Sequence, residues 1–488
     1  MATSGGPVNV LALQVGKQYW GQRVLQYRWE KAMKLLACIA CGLVLVIGTL
    51  TSLKTASRFS DEEAWLFSDE SDYHGLAANY AMGHGMRTGA IEPIENYRYM
   101  HNDQAAAALL IACGAHGGDP ALVRTRGYPF FLGLIYRVAG VHPRMGRLAQ
   151  LVLVILVGAG LPWLGLNLWG GAGILPGAWA GLYYIGKYSI REHDLMAEPL
   201  FAFVLFVWTC LFVYWQRSRK SWQAFGLGIL AGCGVLVKGT GIFLFPVTAA
   251  VLAWQWWRSR PNKAALTALA IFVAGYGIVA IPYIVLVSRI AGKFVVFSTQ
   301  GIDSFREGNS SVSDGECQVK WREQPGGFQP MPAARIPWLL VQKIDRGFQW
   351  FTALRVAVAG IGWWLALELR KRWGERWKWP VMLGGCAFVV ACFNPLAALS
   401  KGVLVQHEPM PLVIALGIGA LVALHRLRAP GLDRVPLPFL IVAASLLLIT
   451  VVMYGLRRYI CVIDWMFLLS AAYLVGGAWW PKHLGLPQ

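Results

Sequence analysis

Long apolar runs alternate with short polar connections along most of this chain. On a membrane-helix window the runs fall at 35–53, 145–166, 172–190, 200–215, 225–237, 242–257, 264–287, 344–367, 381–399, 403–424, 437–454 and 462–479. Several reach the length of helix that crosses a hydrocarbon core, so the pattern predicts an all-α polytopic membrane protein of about twelve transmembrane helices. The connections that carry Lys and Arg then fall on one side. Lys17, Arg23, Arg28, Lys31 and Lys34 precede the first run, Arg217, Arg219 and Lys220 follow the fourth, and Arg258, Arg260 and Lys263 follow the sixth. Charge bias and span parity agree on both termini inside. The predicted organisation is a cytoplasmic segment at 1–33 and one membrane-embedded domain at 34–488, with large outer loops at about 54–144 and 288–343.

Two stretches of the first outer loop break the pattern. Residues 125–136 are apolar but too short to span, which predicts an interfacial or re-entrant helix. Ser68-Asp69-Glu70-Ser71-Asp72-Tyr73-His74-Gly75-Leu76 is acidic, and Asp69, Tyr73, Leu76 and Tyr80 recur at helical spacing. They share one helix face, and Gly83-His84-Gly85 ends the helix. Two readings of its acids stand side by side. One makes them caps and dipole partners of a helix N-terminus. The other makes one of them a working carboxylate. Earlier in the loop, Ser60-Asp61-Glu62-Glu63 reads as a capping box and is taken as structural.

Composition sharpens the class. The chain has 488 residues, 56% hydrophobic and 14% charged, with mean hydropathy +0.49, which excludes an ordinary soluble domain. The formal net charge of +19 follows from basic inner loops and does not signal nucleic acid. The predicted outer side is basic too, at Arg124, Arg126, Arg137, Arg144 and Arg147. Either an anionic ligand or anionic lipid head groups accounts for that. The nine Cys form no metal pattern; Cys113 and Cys317 fall in outer loops and pair only in an oxidising compartment. Lys238, in Lys238-Gly239-Thr240-Gly241, lies between two apolar runs at their outer ends. It either snorkels to the interface or faces a polar cavity. Gly228-x-x-x-Gly232 suggests close helix packing.

Set in order, Asp69-Glu70-x-x-Tyr73-x-x-Leu76-Ala77, Gly83-x-Gly85, and Arg126-Gly127-Tyr128-Pro129-x-x-Leu132-x-x-Ile135-Tyr136 resemble the integral-membrane C-type glycosyltransferases. These include the protein O-mannosyltransferases and the lipid A aminoarabinose transferases. Ala197-Glu198-Pro199-Leu200-Phe201 resembles their second outer acidic motif. Ser298-Thr299-Gln300-Gly301 with Glu307-Gly308-Asn309, and Arg458-Tyr459 before the last run, are similar to further segments.

The resemblance implies a helical membrane core with short surface-parallel helices in the first outer loop. It implies an inverting transfer of a sugar from a polyprenyl-phosphate donor to a protein, lipid or glycan acceptor. Asp69 is the expected base, with Glu70 and Asp72 as fallbacks. Tyr73, Arg126, Tyr128, Glu192, Asp194 and Glu198 are expected around the sugar and acceptor, and Lys238, Arg457, Arg458 and Tyr459 at the lipid phosphate. No metal site is expected; a divalent cation remains open as a cofactor. The expected location is the inner membrane of a bacterial envelope, with the site on the periplasmic side. A secondary transporter of an anionic solute and a non-catalytic envelope subunit are the competing classes. The first predicts two similar halves, and no internal repeat is visible.

Overall fold

The computed structural model describes residues 8–59, 68–86, 122, 124–189, 195–258, 263–313, 327–337, 339–340, 343, 436–453 and 461–479. Among these residues the regular structure is helical, joined by turns and loops, with no strand and only an isolated bridge between Ser310 and Pro330. Helix α1 runs unbroken over Val8–Ala56 and contains the first predicted span. α2 is Ser68–Ala81 and α3 is Gly127–Ala139. The long apolar helices follow: α4 Pro143–Trp169, α5 Ile174–Ser189, α6 Glu198–Ser218, α7 Ser221–Val237, α8 Leu244–Arg258 and α9 Lys263–Ala291. α10 is the short helix Gln300–Asn309, and α11 Leu437–Val452 and α12 Asp464–Trp479 close the chain.

Each predicted span that lies within the described residues coincides with a helix; those at 344–367, 381–399 and 403–424 lie outside them. Five helical runs among the described residues are long and apolar enough to cross a membrane: Tyr27–Ala56, Pro143–Ser189, Glu198–Ser218, Gly239–Arg258 and Lys263–Ala291. The run Pro143–Ser189 is a hairpin rather than one rod. It turns at Gly170–Gly173, and a Cβ on Gly158 would lie 2.8 Å from the carbonyl oxygen of Gly181.

The same closeness holds α7 against α9. Gly228 meets the Phe272 carbonyl and Gly232 lies 2.8 Å, measured from a built Cβ, from Val279 Cβ, so the small-residue spacing in α7 does serve close packing. Trp208 of α6 and Trp465 of α12 are fully buried in the main core, which joins residues from α2 through α9 to α11 and α12. α1 lies against α4 and α5, and its apolar residues Leu35, Ile39, Leu43, Val46 and Leu50 point outward, as a lipid-facing helix requires.

α3 is amphipathic with a sharp division. Tyr128, Leu132 and Tyr136 are buried at spacings of four, whereas Phe130, Leu134 and Val138 are exposed. Thirteen residues make about 20 Å of helix, too little to span, which fits the expected interfacial element.

The helix ends sort into two groups. The C-termini of α5, α7 and α9, the N-termini of α6 and α12, and helices α2 and α3 gather at one end of the bundle through the contacts described below. Arg217, Arg219, Arg258 and Lys263 mark the opposite end.

Candidate functional site

α2 lies across the gathered ends. Tyr73 and Leu76 of the predicted face are buried, and the Tyr80 ring lies 5.2 Å from Phe130, tilted against it. Tyr73 meets Tyr128 of α3 edge-on, with centroids 4.9 Å apart. α3 in turn sits on the end of α7. A Cβ on Gly127 would lie 2.5 Å from the carbonyl carbon of Leu236, so only glycine admits this approach. Thr125 Oγ1 donates to the Val237 carbonyl at 3.4 Å, beside Lys238.

The three acids near the start of α2 divide between two partners. Asp69, nearly buried, accepts a short hydrogen bond from Arg124 Nη2. Asp72 is more open, and its carboxylate accepts from Arg124 Nε at 3.0 Å. Glu70 is buried, and its Oε1 accepts from the backbone N–H of Leu195 at 3.0 Å, tying α2 to the segment that leads into α6. Two of the three acids therefore face one guanidinium, and the third is a strut.

Arg124 is the centre of this cluster. Besides Asp69 and Asp72, its Nη1 donates to Gln300 Oε1 at 3.1 Å, and its guanidinium carbon lies 5.7 Å from the Tyr73 ring centre. Burial works against its charge, but Tyr73, Asp69 and Asp72 outweigh burial and hold it above its ordinary pKa. It is a fixed cation. Asp72 moves the other way from a simple ion pair. Although 44% of its side chain stays open, the helices behind it desolvate the carboxyl and push its pKa above the ordinary value. Arg124 pulls against that shift, and Asp69 adds to it.

A second charge pair lies at the same end. Lys238 Nζ is 2.5 Å from Glu198 Oε1, joining the C-terminus of α7 to the first turn of α6. Both were expected in the site, but as partners of ligand rather than of each other. Pairing solves the cost of placing a lysine at the end of two apolar helices. Arg126 opens α3, and its backbone N–H donates to Tyr283 of α9 at 3.3 Å. Burial lowers its pKa from the ordinary value, though a guanidinium remains charged. Tyr128 is fully buried and donates to Gln150 of α4, so it supports α2 from behind. His74, in the same layer, shares a hydrogen bond of 2.8 Å with the Tyr136 hydroxyl.

The structure thus brings Asp69, Asp72, Tyr73, Arg126, Glu198 and Lys238 to one end of the bundle. Glu192, Asp194, Arg457, Arg458 and Tyr459 lie outside the described residues, as do Cys113, Cys317 and the predicted cap at Ser60–Glu63. Among the described residues no group of three or more His, Cys, Asp or Glu is placed to hold a metal ion.

Sequence reasoning noticed Arg124 in the basic cluster but did not assign it to the acids. The pair spans 55 residues, so no local period reveals it. The usable signal was the acidic stretch itself, which needs a cation when it packs against helices. Asp464 was missed outright. It is buried at the first turn of α12, with its Oδ2 2.5 Å from Lys187 Nζ and accepting from Tyr188 Oη. An acid at the start of an apolar run was the signal for it.

No curated protein and no solved structure matches the chain significantly. Residues 182–298, which hold Lys187, Glu198, Lys238 and Tyr283 but neither Asp69 nor Arg124, match the family model of dolichyl-phosphate-mannose-protein mannosyltransferase, a C-type glycosyltransferase family, in agreement with the resemblance carried by the sequence motifs.

Proposed function

We propose that this chain is a membrane-embedded glycosyltransferase that moves a sugar from a polyprenyl-phosphate donor to an acceptor, with its site at the end of the bundle covered by α2 and α3. The observation that carries the reading is the meeting, at that end, of two independent signals. The matched segment brings Glu198 and Lys238, and the acidic first-loop helix brings Asp69 and Arg124. About twelve spans with both termini inside would put this end on the outer, periplasmic face.

Asp69 is the base in this mechanism. An acceptor hydroxyl approaches the anomeric carbon, its proton passes to an Asp69 oxygen, and the new C–O bond forms as the bond to the phosphate oxygen breaks. The configuration inverts and the lipid phosphate leaves with the bonding pair. A positioned base contributes about 10²–10⁴-fold. Arg124 fixes the carboxylate's direction. Arg126, Lys238, Arg457 and Arg458 are the cations proposed to stabilise the leaving phosphate. Lys238 reaches it only by sharing or leaving Glu198, so binding a phosphate there exchanges one anionic partner for another. Glu70, committed to the Leu195 N–H, holds α2 in place.

The test is mass analysis of lipid extracted from the purified Asp69→Asn protein beside the unmodified one, with release of polyprenyl phosphate measured in parallel. The variant is expected to retain a sugar-bearing polyprenyl phosphate and to lose transfer by about 10²–10⁴-fold. Undiminished transfer by Asp69→Asn removes the base assignment. Lack of any polyprenyl phosphate in both preparations, together with no release from added donor, removes the donor class.

A further inference from the structure

α10 bridges parts of the molecule that no local sequence pattern connects. At its N-terminus two contacts dock it on the segment before α3. The Thr299 backbone N–H donates to the Leu122 carbonyl at 2.8 Å, with the Thr299 hydroxyl 3.2 Å from the same oxygen. Next to it, Gln300 Oε1 accepts from Arg124 Nη1 at 3.1 Å. At its C-terminus Asn309 Nδ2 donates to the Val452 carbonyl at the end of α11, and Asn309 Oδ1 accepts from Lys343 Nζ, each at 2.8 Å. The helix is therefore a strut from the Arg124 cluster to the end of α11, just before Arg457-Arg458-Tyr459 in sequence.

The guanidinium explains why the first of these contacts matters. Its planar fork directs Nη2 to Asp69, Nε to Asp72 and Nη1 to Gln300. The two carboxylates hold the Nε and Nη2 edge of the fork and leave its Nη1 arm to be held from elsewhere. The third acceptor, from a different loop, fixes its plane.

From this geometry we infer that Gln300 is a positioning residue: it orients Arg124, and through Arg124 the Asp69 carboxylate, so that docking of the second outer loop sets the aim of the base. The inference rests on Asp69 being that base. Gln300 itself touches Arg124 and takes no part in bond making. It makes the first loop's chemistry depend on the second loop, which Asn309 at the end of α10 ties to α11.

The experiment compares the full chain in detergent with Gln300→Leu, which keeps bulk and loses the acceptor, and Gln300→Glu, which keeps an acceptor at the same reach. Two readouts are taken. The first is the rate at which phenylglyoxal modifies Arg124, followed on its peptide by mass analysis. The second is release of polyprenyl phosphate from synthetic polyprenyl-phosphate mannose, with an envelope extract as acceptor, resolved into kcat and KM for the donor.

Gln300→Leu is expected to raise Arg124 modification about tenfold, the effect of losing one hydrogen bond to a charged group. It is expected to lower kcat about 10- to 100-fold with KM little changed, as misaimed groups do. Gln300→Glu is expected to restore both. Unchanged Arg124 modification in Gln300→Leu overturns the clasp, whatever the chemistry proves to be. Faster modification with undiminished kcat overturns the positioning role. A protein in which Asp69→Asn transfers normally, yet Gln300→Leu loosens Arg124, rejects Asp69 as base and leaves the clasp standing. An unfolded Gln300→Leu protein would show rapid modification at every arginine, and Gln300→Glu then decides alone: slow Arg124 modification with full kcat supports the role, and fast modification or reduced kcat overturns it.

Discussion

Replacing Asp464 should destabilise the protein more than any change to the exposed acids. Asp464 is 1% exposed and Lys187 12% exposed, and their charged atoms stand 2.5 Å apart between the first turn of α12 and the last turn of α5. Removing one member of a buried pair costs about 3–5 kcal/mol, because the other charge keeps its burial and loses its partner. Lys187 lies at a helix end on a long flexible stem, so part of that cost is relieved by reaching toward the interface. The expected loss for Asp464→Ala is therefore at the lower limit, about 3 kcal/mol, or about 150-fold in the unfolding equilibrium. The assay is denaturant unfolding in mixed micelles for Asp464→Ala, Lys187→Met and an Asp464→Leu/Lys187→Met double variant. The double variant should recover much of the loss, since no charge is then left buried. An Asp464→Ala protein within about 0.5 kcal/mol of the unmodified one would refute the reasoning, because that is the scale of a solvent-screened pair.

Lys343 gives a pH test. Burial lowers its pKa to about 8 from the ordinary 10.5, so between those values the unfolded chain binds a proton that the folded chain does not. Stability should rise as pH increases through this window and fall as pH drops toward about 8, and Lys343→Met should flatten that part of a melting-temperature series. Sidedness is tested by cysteine accessibility: a cysteine at position 90 should react from outside and one at position 218 from inside, and the reverse pattern would move the proposed site to the other face.

How much was legible beforehand depended on the range of the interaction. Hydrophobic runs fix helices locally, so α4 through α9 lie where the pattern put them, and the Gly170–Gly173 turn falls between its two runs. α2 was legible from a spacing of three and four and from the glycines after it; Gly83 and Gly85 both take positive φ, which ends the helix. The division of labour among its acids was not legible. Asp69, Glu70 and Asp72 look alike in sequence, and what separates them is which side of α2 meets Arg124 and which meets Leu195. Those partners are 52 to 125 residues away, and the packing of α2 on α3, where a Cβ on Gly133 would lie 3.0 Å from the Ala77 carbonyl oxygen, helps bring them within reach. The Glu198–Lys238 pair was missed for the same reason, though both residues were chosen individually.

The pairing of charges carries a consequence for any anionic ligand. At the covered end, Arg124 already serves Asp69 and Asp72, Lys238 serves Glu198, and Lys187 serves Asp464. A positive cluster with its acids built in is poised differently from an open basic patch. A lipid phosphate arriving there adds negative charge beside carboxylates, so its binding must be accompanied by a cation turning from one anion to another. Of these four pairs, Glu198–Lys238 is suited to that exchange: it joins two helix ends through side chains, and the lysine's flexible stem lets its ammonium turn without moving either helix. The Arg124 pairs are not, because a rigid fork held from Asp69, Asp72 and Gln300 loses three contacts if it turns. In the proposed reaction this separates a fixed cation, which would aim the base, from a movable one, which would follow the leaving group. In that proposed reaction Glu198→Gln should then favour the phosphate by removing one carboxylate that competes for Lys238, whereas Arg124→Lys should spoil the aim of Asp69 while leaving the charge in place.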